Sequence, residues 1–211
     1  MSAPLAPIRR VRAIVTLGVA TVAFAAALAL RQYVDPWRST ALAAVSGIVL
    51  SAWTLGPRLR GLFAITARGV AAAVALGAVL VAATHLGFQL LGYASPSLAV
   101  TVRGLYISID LGASRLALAA LTTIIVIGEE LVWRGVAIEA ARMRSKLAVG
   151  AISVALYVLP QLPGHVPVLI VAASGLGAVF AAQRLVTGRI TDAILTHAIW
   201  SVAVFVVLPV S

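Results

Sequence analysis

Cysteine is missing from this chain of 211 residues, and acidic side chains are scarce. Without cysteine there is no disulfide framework, no thiol nucleophile and no thiolate metal site. Only 3 histidines are present, so any metal would depend on them and on carboxylates. Charged residues make up 10% of the sequence and hydrophobic residues 62%. A soluble domain carries roughly 25% charged and about 45–50% apolar residues. One soluble core of this size cannot hide the excess, so lipid must cover part of it. Internal repeats and low-complexity linkers are also lacking, and the length suits one integral membrane domain over residues 1–211, with no second unit.

The acidic deficit leaves a formal net charge of +10, with 16 Lys and Arg against 6 Asp and Glu. Such a balance can signal nucleic acid. Here the cations sit singly or in small clusters between apolar runs, and no basic amphipathic helix or aromatic platform accompanies them. The pattern fits a lipid bilayer as partner rather than nucleic acid, because loop Arg and Lys set topology and meet anionic headgroups.

The apolar runs are Val11–Leu30, Thr40–Leu55 and Val70–Leu91, then a mixed loop from Gly92 to Ser114 that contains Pro96, Arg103 and Asp110. A fourth helix starts near Arg115 and continues towards Arg142. It exceeds the roughly 20 residues that a span needs. Leu147 to about Gln161, Val168–Leu185 and Ile194–Val210 complete an all-α bundle of about seven membrane helices. Arg9, Arg10 and Arg12 before the first run resemble a signal-peptide start, but that run is long and more follow, so a retained helix is expected. Thr191 or Asp192 is expected to cap the last helix. With the N-terminus in the cytoplasm, eleven cations (Arg9, Arg10, Arg12, Arg58, Arg60, Arg68, Arg142, Arg144, Lys146, Arg184 and Arg189) fall inside. Four fall outside (Arg31, Arg38, Arg103 and Arg115), which predicts a multi-pass cell-membrane protein with its N-terminus in and its C-terminus out.

Against that background, Gly128-Glu129-Glu130-Leu131-Val132-Trp133-Arg134-Gly135 stands out, because it continues an apolar run without a break. Each charge at mid-helix costs about 2.5–3.5 kcal/mol on insertion scales. Intramembrane charges face a protein interior or a wet cavity. Glu130 and Arg134 are four apart on one helical face and can neutralise each other. Glu129 is turned about 100° from Glu130. A buried ion pair could simply fix helix packing. The second carboxylate, not needed for that pair, has what a general base for water activation requires. Two other places offer partners: Tyr157 with Gln161, and His197 with Ser201, each pair at i and i+4. Read alone, the first is a helix end stopped by Pro160 and Pro163, and the second an ordinary packing histidine.

These three places resemble the ordered motifs of the CAAX protease and bacteriocin-processing family, also called the Abi family. Its pattern is Glu-Glu-x-x-x-Arg, then Phe-x-x-x-His, then His-x-x-x-Asn, and the likeness covers about residues 116–206. The first motif is complete in Glu129, Glu130 and Arg134. In the second, Tyr157 stands for Phe and Gln161 for His. In the third, His197 is kept and Ser201 stands for Asn. The resemblance implies an intramembrane endopeptidase acting on membrane-associated peptides or proteins. In it Glu129 activates water, Glu130 holds Arg134, and His197 positions water or stabilises the oxyanion, with Gln161 or Ser201 assisting. It leaves a divalent metal such as zinc open, with Glu129 and His197 as candidate ligands. Gln161 can neither act as a base nor bind zinc well. His165 could replace it only by a backbone detour past Pro163 and Gly164. The alternatives are a family member that has lost catalysis and serves binding or immunity, and a small transporter relaying protons on Glu129 and Glu130. Abundant Ala, Val and Arg with little Lys suggest a bacterial source.

Overall fold

In a bilayer, backbone N–H and C=O groups find no water, so apolar spans must satisfy them internally as helices. The computed structural model describes residues 8–109 and 114–210, except for the side chains of residues 105–109. Every regular element among them is helical. The order is α1 (Arg10–Ala29), α2 (Pro36–Leu55), α3 (Arg58–Leu62), α4 (Ala67–Ala94), α5 (Pro96–Ile109) and α6 (Arg115–Glu130). A π-helical stretch, Leu131–Val136, leads into α7 (Ala137–Ala141). Next come α8 (Lys146–Val158), a 3-10 segment Leu159–Gly164, α9 (Pro167–Thr187), α10 (Ile190–Val202) and a second π stretch, Ala203–Val207. Seven of these stretches are long and apolar enough to cross a membrane, α6 through α7 counting as one. The chain is an all-α, multi-pass membrane bundle.

Two expectations change. Most of the stretch read as a mixed loop, Gly92–Ser114, is helical: α4 runs on to Ala94, and α5 follows from Pro96. Proline suits a first helical position, where its missing N–H leaves no bond unmade. Arg103 does not break this helix; its guanidinium lies 5.7 Å from the Phe88 ring centre. Asp110 lies outside the described residues. Nor do Thr191 and Asp192 cap α10, which begins one residue earlier behind Arg189. Thr191 Oγ1 donates instead to the Ala64 carbonyl at 2.7 Å, and Asp192 accepts from Arg189 Nε at 3.0 Å.

Small residues bring the central helices together. A Cβ placed on Gly128 would lie 2.6 Å from the Ala44 carbonyl oxygen, so α6 meets the backbone of α2 there. One turn along α2, a Cβ on Gly47 would lie 2.9 Å from Val132 Cγ2. Between helices lipid offers little hydrophobic contrast, and close backbone approach supplies the van der Waals contact that holds them. On the other flank, Gly77 of α4 admits Ile199 of α10, and Trp200 Nε1 donates to Thr84 Oγ1 at 2.9 Å. At one end of the bundle, Glu139 joins Arg58 at 2.7 Å and Arg184 at 3.1 Å, tying α7 to α3 and α9.

The contact of α2 with α6 predicts a contrast between two glycines. Gly128→Ala overpacks it and lowers stability by about 1–3 kcal/mol. Gly175→Ala, with nothing within 4 Å of the added Cβ, leaves stability unchanged or slightly raised. Thermal unfolding of the two variants in detergent checks this.

Candidate active site

Glu129 and Glu130 end the regular part of α6, and the chain then widens into the π stretch that carries Arg134. A π turn leaves backbone carbonyls displaced from their usual donors. Within that stretch, Ser153 Oγ of α8 donates to the Trp133 carbonyl at 2.8 Å. Arg134 Nη1 forms an ion pair with Glu130 Oε1 at 3.1 Å, both side chains wholly buried. Arg134 Nη2 donates to the Gly177 carbonyl of α9 at 3.2 Å, and its guanidinium carbon lies 4.3 Å from the Tyr157 ring centre and 5.4 Å from that of Phe180. These contacts offset part of the hydration that the guanidinium loses, while Nε and Nη1 are buried without a hydrogen bond among the described residues.

His197 enters from α10. Its Nδ1 lies 2.8 Å from Glu130 Oε1, so one carboxylate oxygen holds both Arg134 and the imidazole. A carboxylate only accepts, so the proton of that bond sits on Nδ1. Phe180 stacks on the imidazole, with centroids 4.4 Å apart and planes 22° apart. The ring is thus oriented on two sides, and Nε2 faces Glu129 Oε2 at 3.8 Å. Tyr157 OH of α8 reaches the same Glu129 oxygen at 3.5 Å. Among the described residues, Asp35, Glu130, Glu139 and Asp192 each pair with an arginine, and Glu129 does not. It also keeps 8% exposure, against 0% for Glu130 and Arg134 and 2% for His197. It is therefore the least enclosed acid of this cluster.

Glu129, Glu130, Arg134 and His197 meet in one cluster. Gln161 and Ser201 form no hydrogen bond with it among the described residues: Gln161 is half-buried in the 3-10 segment, and Ser201 is buried one turn beyond His197. His165 is exposed, in the left-handed conformation that ends that segment. Sequence reasoning gave no role to Tyr157 OH, Gly177, Phe180 or Ser153. Gly177 is needed because a Cβ there would lie 2.9 Å from Tyr157 Cδ1 and 3.3 Å from Arg134 Nη2.

The donor set does not fit a catalytic zinc site. Such a site takes three protein ligands. Glu129 and His197 Nε2 are two, Glu130 is committed to Arg134 and His197, and Gln161 offers only an amide. Among the described residues no three His, Asp or Glu side chains are grouped to hold a metal ion.

Spans that close on an arginine-held glutamate, with a second glutamate opposite a histidine, define a membrane protein with a polar centre inside the bilayer. Residues 111–203 match the family model described as type II CAAX prenyl endopeptidase Rce1-like. Over that segment, which is less than half of the chain, the protein is similar to the CAAX protease family of membrane endopeptidases, in agreement with the resemblance drawn from its motifs. No curated protein and no solved structure matches it.

Removing one partner of a buried ion pair strands the other charge, at about 3–5 kcal/mol. Arg134→Met is expected to lower the unfolding midpoint sharply, and adding Glu130→Gln to recover part of the loss. Thermal melts of the single and double variants measure that coupling.

Proposed function

We propose that this protein is a CAAX-protease-like intramembrane endopeptidase that hydrolyses peptide bonds of membrane-associated peptides or proteins through water activated by Glu129. The observation that carries this reading is Glu129 itself. It is a carboxylate within a membrane span, without an arginine partner among the described residues, facing a histidine nitrogen at 3.8 Å. A carboxylate held only for packing would be expected to share in the ion pair. In the reaction, Glu129 takes one proton from water as the water oxygen bonds to the scissile carbonyl carbon, and the C=O π pair moves onto oxygen. Collapse of that intermediate breaks the C–N bond, and the proton on Glu129 passes to the leaving nitrogen.

The other residues act by position. Glu130 neutralises Arg134 and fixes the Nδ1–H tautomer of His197. With the imidazole neutral, Nε2 is an acceptor, and it orients the water by accepting its second O–H. The donor set supports a route through carboxylate and imidazole alone, so a chelator is expected to leave cleavage unchanged. We also propose that the protein lies in the cell membrane with its N-terminus in the cytoplasm. The excess of loop arginines supports that orientation, and it puts the Glu139 cluster on the inner face.

Glu129→Gln is expected to abolish cleavage of a panel of membrane-anchored peptides while the protein still accumulates in membranes. Full activity in that variant sinks the assignment. A second reading, a family member that has lost catalysis and acts by binding, is favoured by one observation: Gln161 occupies the histidine position of the second motif. It gains if wild type cleaves nothing and Gln161→His cleaves; it fails if wild type turns over.

A further inference from the structure

Hydrolysis at this centre needs a hydrogen-bond donor for the negative oxygen of the tetrahedral intermediate. The expected donors do not serve. Arg134 is wholly buried and directed to Glu130 and the Gly177 carbonyl. His197 uses Nδ1 on Glu130, and its Nε2 is turned to Glu129 Oε2 at 3.8 Å. Gln161 forms no hydrogen bond with the cluster among the described residues, because the α-helix ends at Val158 and the following 3-10 segment turns three residues per turn. Position i+4 from Tyr157 then leaves the shared face.

One O–H remains. Tyr157 OH lies 3.5 Å from Glu129 Oε2, the same oxygen that faces His197 Nε2. A committed O–H···O bond is about 2.7–2.8 Å long, so this hydroxyl is near the base without being held by it. Its ring is fixed, with Arg134 4.3 Å from its centre, the edge-on imidazole at 6.4 Å and the bare Gly177 against Cδ1.

We infer that Tyr157 is a catalytic residue, its phenol O–H stabilising the oxyanion while Glu129 carries the proton from water to the leaving nitrogen. This rests on the endopeptidase reading above. Bonds and protons balance as in that scheme, because Tyr157 keeps its proton throughout and contributes only a hydrogen bond. The family pattern has Phe with His at these two positions, and here Tyr comes with Gln.

Tyr157→Phe is the direct test, since it removes one oxygen and keeps the ring under Arg134. In a cleavage assay on membrane-anchored peptides, kcat is expected to fall about 100- to 1000-fold with KM nearly unchanged, the loss typical of one oxyanion donor. The unfolding midpoint should stay at the wild-type value. Tyr93→Phe, at an exposed tyrosine far along the chain, should cleave like wild type. If Tyr157→Phe keeps a kcat near that of wild type, the inference is overturned and the endopeptidase reading survives. If wild type itself cleaves nothing, that reading falls and takes the role of Tyr157 with it.

Discussion

One oxygen of Glu130 holds the centre together. Arg134 and His197 both converge on it from different helices, at 3.1 and 2.8 Å. Three polar side chains in a membrane interior are each unfavourable alone, and here each removes the reason another would be. The guanidinium is neutralised, the imidazole is given a tautomer, and the carboxylate receives one hydrogen bond and a counter-charge. What remains, Glu129 and the outer nitrogen of His197, is left facing one another. Division of labour between adjacent glutamates is therefore a result of helical geometry, since about 100° separates a side chain from the next.

Packing keeps that division in register. Gly128 immediately precedes the pair and lets α6 touch α2, so the helix cannot rotate without a clash. The π stretch then adds width where Arg134 must reach both Glu130 and the Gly177 carbonyl. Ser153 donates to the Trp133 carbonyl within it, which ties α8, and so Tyr157, to the same turn. Aromatic faces from α8 and α9 close over the guanidinium and the imidazole. The N-terminal helices act as a wall for this core: Phe24 of α1 sits 6.2 Å from the ring of Trp133.

Spans were legible in the sequence because hydropathy alone defines them, and the Glu129, Glu130 and Arg134 set was legible because charge in an apolar run has few explanations. Helix α5 was not, since its mixed polarity reads as a loop until Pro96 is seen as a first helical position. The π stretch accepts a hydroxyl arriving from another helix, which no local pattern announces. Gly177 and Phe180 look like ordinary residues of an apolar helix; their contact with Arg134 and His197 exists only in three dimensions. Gln161 shows the reverse error. Its spacing from Tyr157 suggests a common face, and the prolines around it convert the helix to 3-10 and turn it aside.

The central claim is that Glu130 serves the fold and Glu129 the chemistry. Comparing the unfolding midpoints of Glu129→Gln and Glu130→Gln in the same detergent tests it most directly. A buried carboxylate kept for activity, with no cation to hold, is a burden on stability. Glu129→Gln should therefore melt at or above the wild-type temperature, while Glu130→Gln, which strands Arg134, should melt well below it. Equal losses in the two variants, or a loss confined to Glu129→Gln, would contradict the account.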